Sequence, residues 1–401
     1  MNPATDTSKQ RRRLMAIAET TFVTLAAISL IYSVATALGE GKDLAMFQDM
    51  GRAWVAGVYQ TAGGPFYGPP PFASVLFAPF ALLSFASLRV IFVPVSLLAT
   101  AAVVSLVKKL WGAAWPAKTT VYLAALLLCW APFRVTVRYG QICLIVTALV
   151  LGALLAWKRG ANVLAGLLLG LSLCKYPLTL PFALYFVWRR EWKIAAVAVL
   201  TVAGLTEVFA LRLGLSPLDV TGDYLRIMLH TSITNDPHFA GATEIGPLLF
   251  ALTGSEQLAG RLNIALAAAG LLAMVLVFWR RPLCERLHLA ILTFFSLWFV
   301  YHRIYDAVIC VLPAAHFIDL SIRGRFRSFA LIHLSALGLL AVSIPGLLTE
   351  RLHLSGESLS ANPAGFLGLH FERLLVFGMF WSLLIFLWRF GPTDTRDLAV
   401  A

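Results

Sequence analysis

The chain has 401 residues, of which 59% are hydrophobic and only 13% charged, and its mean hydropathy is +0.81. Such a chain has too few polar residues to cover a water-facing surface, so a soluble globular enzyme is excluded and a polytopic membrane protein is left. The net charge of +12 would suit a nucleic-acid binder, but the Lys and Arg residues sit in short clusters at the ends of apolar runs, such as KQRRR at 9–13 and RGRFR at 323–327, which is the pattern of membrane orientation; no nucleic-acid partner is expected.

At about 20 apolar residues per helical crossing, the length predicts an all-α bundle of roughly ten to twelve transmembrane helices without a large soluble domain. Five cysteines, at 129, 143, 174, 284 and 310, lack metal-ligand spacing and are expected to be buried small hydrophobes outside any disulfide framework.

The first apolar run, 14–38, follows Arg11, Arg12 and Arg13 and ends near Ala35-Thr36-Ala37. It is too long for a cleaved signal peptide, so a retained signal-anchor helix is expected. The segment 39–70 carries an amphipathic helix, with Leu44, Phe47, Trp54 and Val55 expected to face lipid and Asp43, Gln48, Asp49 and Arg52 turned elsewhere, lying on the membrane surface. GPPPF at 68–72 is a stiff entry into the next helix. The stretch 71–107 is too long for one crossing, yet the Lys108-Lys109 anchor requires an odd number, so a broken or re-entrant element is expected near Pro79 to Arg89. Residues 161–189 read as two short helices meeting at Lys175-Tyr176-Pro177, with Gly166 and Gly170 allowing close helix packing. The stretch 246–279 reads as a short element, GPLLFALTG, followed by a full helix from about 259. No repeat or low-complexity tract interrupts the chain, which is expected to form one membrane domain: first span 14–38, catalytic loop 39–70, core bundle 71–320 and C-terminal spans 321–401.

Placing every basic cluster in the cytoplasm (Arg11 to Arg13, Lys108-Lys109, Lys158-Arg159, Arg189-Arg190 with Lys193, Arg280-Arg281, Arg323 to Arg327, Arg389) puts both termini there. The segments 39–70, 133–141, 213–245, 301–306 and 347–368 then share the other side, and they hold nearly every unusual polar motif.

In the first of these, Asp43 and Asp49 are candidate general bases, a role that needs a carboxylate able to accept a hydroxyl proton at a partly dehydrated surface; Asp43 as a helix N-cap is the plain alternative. Arg134, Arg138 and a helix opened by Gln141 suit an anion, as a solvated loop also would look. Lys175 between two apolar half-helices either contacts a phosphate or snorkels. In Tyr301-His302-Arg303-Ile304-Tyr305-Asp306, His302 and Arg303 are candidate phosphate ligands, with an internal Arg to Asp salt bridge as the alternative. The stretch 221–245, with His230, Asn235, Asp236, His238 and Glu244, is too irregular for a metal site and reads as a loop covering substrate.

The order of DLAMFQDMGRAWVAGVY, FYGPPPFASVLFAPF, RYGQICLIVTALV, AGLLLGLSLCKYPLTLPFAL and YHRIYDAVICVLP resembles the bacterial polyprenol-phosphate-mannose-dependent mannosyltransferases, the DUF2029 or glycosyltransferase-87 group of the GT-C superfamily, over about residues 14 to 320. The resemblance puts the family's catalytic aspartate at Asp43, with Asp49 second, its YPPF-like segment at Tyr67 to Phe72 with an inserted glycine, and its lysine at Lys175. The family's late-loop histidine falls on His302, while the asparagine usual after its glycine-glutamine pair is replaced by Cys143. Arg303, Tyr305 and Asp306 are additions that suggest a subgroup with a different acceptor. The resemblance implies a GT-C-type bundle in the bacterial inner membrane and an extracytoplasmic active site. It also implies inverting transfer of a hexose, mannose first, from a polyprenyl-phosphate donor to a glycolipid or polysaccharide. No cofactor and no metal are expected, since no nucleotide-sugar diphosphate and no DxD pattern is involved. A lipid or small-molecule transporter or flippase is the rival reading and predicts inverted repeats; an accessory membrane subunit leaves the one-sided polar motifs unexplained.

Overall fold

The structure, a computed structural model, describes residues 3–58, 69–112, 115–230, 242–299, 302–324 and 326–391, with the side chains of 3–15, 227–230 and 350–351 left out. The described chain is helical. In order come α1 (Pro3–Gly39), α2 (Lys42–Val55), α3 (Ala73–Ala81), α4 (Phe85–Trp111), α5 (Ala117–Cys129), α6 (Ala131–Tyr139), α7 (Cys143–Lys158), α8 (Asn162–Ser172), α9 (Tyr176–Trp188) and α10 (Trp192–Leu213). They are followed by α11 (Pro217–His230), α12 (Gly246–Thr253), α13 (Glu256–Arg280), α14 (Glu285–Phe299), a 3-10 helix (Ile304–Cys310) running into α15 (Val311–Arg323), and α16 (Arg327–Val342). Three short helices, α17 (Ile344–Gly346), α18 (Gly356–Ser360) and α19 (Pro363–Leu369), lead to α20 (Phe371–Phe390). One apolar core cluster runs through the bundle from α1 to α20.

Among the described residues eight helices are long and apolar enough to cross a membrane, and the α5–α6 pair, bent by 57°, makes nine. By length alone Asn162–Trp188 is one 27-residue crossing, but the contacts show that it folds back on itself. Phe186 lies edge-on to Trp157 at 5.4 Å and the Arg189 guanidinium sits 5.7 Å from the same ring, although Lys175 bonds Gln141 at the other end of α7. A straight helix at 1.5 Å per residue would carry Phe186 away from Trp157. The reversal is made by the 3-10 turn Leu173–Lys175 and by Lys175, whose φ of −125° and ψ of 60° are not helical, followed by Pro177 in the first turn of α9. The two short helices meeting at Lys175-Tyr176-Pro177 are thus a re-entrant hairpin. Among the described residues α1, α4, α5–α6, α7, α10, α13, α14, the 3-10 helix with α15, α16 and α20 run between the two ends of the bundle, and the hairpin of α8 and α9 runs from the Trp157 end of α7 to the Gln141 end and back.

The small-residue spacing in α8 does what the sequence suggested. A Cβ on Gly166 would lie 2.5 Å from the Val197 side chain and one on Gly170 would lie 2.6 Å from Thr201, so α8 and α10 pack backbone to backbone.

Each end of the bundle is tied by polar contacts. At one end Lys118 pairs with Glu19 at 3.2 Å, Lys158 with Glu285 at 2.8 Å, and Asp319 takes both Arg286 at 2.6 Å and Arg323 at 2.9 Å. Arg281 donates to the Trp388 carbonyl at 2.8 Å, and Trp115 Nε1 to Asp319 at 3.2 Å. At the other end Arg138 pairs with Glu40 at 2.8 Å, Trp54 Nε1 donates to the Phe209 carbonyl at 3.3 Å, and Arg212 donates to the Val55 carbonyl.

Some expectations change here. The break expected near Pro79 to Arg89 is present, since α3 stops at Ala81 and α4 restarts with Ser84 capping Ser87 N–H. The segment 133–141, expected to be a connecting loop, is largely the bent helix α6, and much of 213–245 is α11. Of the four apolar residues of α2 expected to face lipid, Leu44 and Phe47 are instead buried against protein, Trp54 is partly buried and Val55 is exposed; Phe47 stacks on Phe77 at 4.6 Å, and a Cβ on Gly51 would lie 2.3 Å from the Phe77 carbonyl oxygen. Gln48 is buried on the same face because its amide donates to the Phe80 and Leu83 carbonyls at 3.0 and 2.8 Å, which are freed by the end of α3.

Candidate active site

Two close approaches place the start of α2 against the end of α6. Gly41 precedes α2 in the left-handed region, φ 84°, and its N–H donates to the Arg138 carbonyl at 3.1 Å. Helix α6 ends in a Schellman motif: Gly140 at φ 70° gives its N–H to Val137, and Gln141 gives its own to Thr136 at 2.9 Å. A Cβ on Gly140 would lie 2.5 Å from Leu44 Cβ, so only glycine lets α2 approach. Because Gly41 occupies the N-cap position, Asp43 is a first-turn residue with its side chain available for other work. Gln141 Nε2 donates to Asp43 Oδ2 at 2.7 Å.

The same glutamine reaches inward. Its Oε1 accepts from Lys175 Nζ at 3.1 Å, and Lys175 Nζ lies 2.8 Å from Asp306 Oδ1 and 4.7 Å from the centre of the Tyr305 ring. Asp306 Oδ2 faces His302 Nδ1 at 3.0 Å and accepts the Arg303 main-chain N–H at 3.2 Å, while Cys143 Sγ lies 3.2 Å from Oδ1. The Lys175 and Asp306 side chains are 15% and 4% exposed, so the pair is screened little by water. The first turn of the 3-10 helix thereby wraps around its own carboxylate, and Thr136 Oγ1 donating to the Tyr305 carbonyl at 3.2 Å ties it to α6.

Behind His302, its main-chain N–H donates to Glu244 Oε2 at 3.0 Å and its carbonyl accepts from Thr243 N–H at 2.9 Å, an antiparallel bridge between 242 and 303. Burial pushes the Glu244 carboxyl up from its ordinary range, with the His302 N–H and the Arg373 guanidinium acting against that shift. His302 Nε2 is buried with no hydrogen-bond partner among the described residues.

Asp43, Gln141, Lys175 and His302 therefore meet in one connected network, with Arg303 and Arg138 at its edge. Asp49 does not join them: its carboxylate is 66% exposed and its ion partner is Arg52 at 3.9 Å. The salt bridge between Arg303 and Asp306, held open as the alternative, is not what engages this carboxylate: Asp306 accepts the Arg303 main-chain N–H and pairs with Lys175. Arg134 donates to the Cys129 carbonyl and Arg138 pairs with Glu40, so both arginines already serve acceptors of the fold. Tyr67, His238 and the side chain of His230 lie outside the described residues. Sequence reasoning missed Asp306 as the hub and Glu40 as the partner of Arg138; a buried lysine in need of a counter-charge was the signal for the first.

Residues 67–301, more than half of the chain, match the family model of glycosyltransferase family 87. No curated protein and no solved structure matches the chain. The match includes Gln141 and Lys175, and Asp43, His302 and Asp306 lie outside it.

Proposed function

Because the chain belongs to glycosyltransferase family 87, we propose that it transfers a hexose, mannose first among the candidates, from a polyprenyl-phosphate donor to a glycolipid or polysaccharide hydroxyl. The proposed setting is the extracytoplasmic side of a bacterial cytoplasmic membrane, with both termini in the cytoplasm. The carrying observation is the Gln141 to Asp43 bond of 2.7 Å at the end of the bundle where the polar loops gather. In this reading Asp43 takes the acceptor proton as the hydroxyl oxygen attacks the anomeric carbon from the face opposite the phosphate. The carbon–oxygen bond to phosphate breaks, its electron pair leaves with polyprenyl phosphate, and a β-linked donor gives an α-linked product. Phosphate is a good leaving group, so a positioned base is the group the reaction most needs.

The donor phosphate is assigned to Arg303 and to His302 through Nε2, which is buried and unpartnered among the described residues. Lys175, which the sequence offered as a phosphate ligand, is held by Asp306 and Gln141 and is given a supporting part. The basic residues at the opposite end, among them Lys158, Arg189, Arg281 and Arg323, favour the cytoplasm for that end. The test is competition in reconstituted membranes among polyprenyl-phosphate mannose, glucose and arabinose, scoring sugar transfer to a membrane glycolipid fraction. Transfer from the mannose or the glucose donor with polyprenyl phosphate released supports the reading; transfer from the arabinose donor alone overturns the hexose, and lipid movement across the bilayer without release from any of the three overturns the transferase.

A further inference from the structure

We propose that Asp306 is a positioning residue that aims the base Asp43 through Lys175 and Gln141; this rests on the reading of Asp43 above. The argument is one of hydrogen-bond polarity. An ionised carboxylate only accepts, a lysine ammonium only donates, and a glutamine amide does both through two ends that a half-turn exchanges. Asp43 as an acceptor takes the Nε2 end of Gln141 and Lys175 as a donor takes the Oε1 end, so both charges demand the same orientation. Lys175 donates to Oε1 at 3.1 Å while Nε2 faces Asp43 Oδ2 at 2.7 Å, and the amide is anchored from behind as well as in front. Lys175 is in turn fixed by Asp306 Oδ1 at 2.8 Å. Asp306 is fixed by His302 Nδ1 at 3.0 Å, the Arg303 N–H at 3.2 Å and Cys143 Sγ at 3.2 Å.

The chain of polarity runs from an acceptor through a donor and an amide to a second acceptor, so Asp43 is held with one oxygen bonded and oriented. The neutral amide also keeps a full cation out of contact with the base. A lysine bonded directly to Asp43 would hold its carboxylate in an ion pair and oppose proton uptake; here the ammonium charge is met by Asp306, one residue further from the acceptor. The backbone approaches at Gly41 and Gly140 set where Asp43 lies, and the relay sets how its carboxylate is turned.

The test uses purified full-length protein in lipid nanodiscs, with polyprenyl-phosphate mannose, glucose and arabinose tried in turn and the fastest donor carried forward. Asp306→Asn keeps an oxygen for His302 Nδ1 and the Arg303 N–H, which both meet Oδ2, and loses the acceptor of Lys175 at Oδ1; it and Lys175→Met are each expected to lower kcat by about tenfold to a hundredfold, with the donor KM changed less than about threefold. The Asp306→Asn change is expected to add nothing when made in Asp43→Asn, because it acts through that carboxylate. A buried lysine without its partner endangers folding, so the neutral pair Lys175→Met with Asp306→Asn is made alongside; it is expected to fold and to show the same kcat loss at unchanged KM. Normal kcat per folded molecule in these variants overturns the relay, as does a raised donor KM at unchanged kcat, which would make Lys175 a phosphate ligand. The two readings fail separately: normal turnover of Asp43→Asn removes the base, whereas a dead Asp43→Asn beside a normal Asp306→Asn removes only the relay.

Discussion

Asp43 and Asp49 stand six residues apart on the same helix, yet Gln141 bonds Asp43 at 2.7 Å while Asp49 faces solvent beside Arg52 at 3.9 Å. Two carboxylates that composition cannot rank are separated by what each one touches. Asp43→Asn keeps the shape and removes the charge, so transfer is expected to slow by about a hundredfold to ten-thousandfold with donor binding intact. Asp49→Asn is expected to turn over within about twofold of the unmodified protein, because a solvent-exposed ion pair contributes little. Single-turnover rates on equally folded samples make the comparison, and the reverse ranking would transfer the role to Asp49.

Gly51 lets α2 rest on α3, where an added Cβ would sit 2.3 Å from the Phe77 carbonyl oxygen. Backbone on both sides leaves little room to relax, so Gly51→Ala is expected to cost about 1–3 kcal/mol and to lower activity by displacing Asp43. Gly204→Ala in α10 meets nothing within 4 Å and is the matched control, neutral or slightly stabilising. Thermal unfolding in detergent, followed by tryptophan fluorescence, reads both; equal midpoints would refute the α2–α3 account.

The hairpin of α8 and α9 makes a topological prediction. Arg159 and Arg190 are both exposed and flank the two half-helices, so cysteines placed at each are expected to react with a membrane-impermeant maleimide from the same side. Labelling from opposite sides would mean that Asn162–Trp188 crosses as one helix.

At the far end Asp319 holds Arg286 and Arg323 at 2.6 and 2.9 Å and accepts from Trp115 at 3.2 Å. Asp319→Ala would leave the half-buried Arg286 guanidinium without its carboxylate and release the exposed Arg323, an expected loss of about 1–3 kcal/mol. Because this cluster is at the opposite end from Asp43, the surviving folded fraction is expected to keep its donor KM and kcat. Chemical unfolding and turnover on the same sample separate the two effects, and a kcat loss matching that of Asp43→Asn would contradict the separation.

The class of molecule is legible in composition, because hydrophobic content acts additively along the chain: the helical membrane bundle, the break near Pro79 to Arg89, the short helices around Lys175 and the glycine spacing of Gly166 and Gly170 all follow from local residue type. Residue type likewise picks out Asp43, Gln141, Lys175 and His302, since polar groups beside apolar helices demand partners. The identity of those partners emerges in the packed bundle. Asp43 and Gln141 are 98 residues apart in sequence, and nothing local could show that Asp306 answers Lys175 instead of Arg303, or that Phe47 of α2 meets α3 instead of lipid. Pairings of that kind depend on how helices distant in the chain approach one another, and here the approach is set by backbone contacts at Gly41, Gly51 and Gly140 whose neighbours exist only once the bundle has formed.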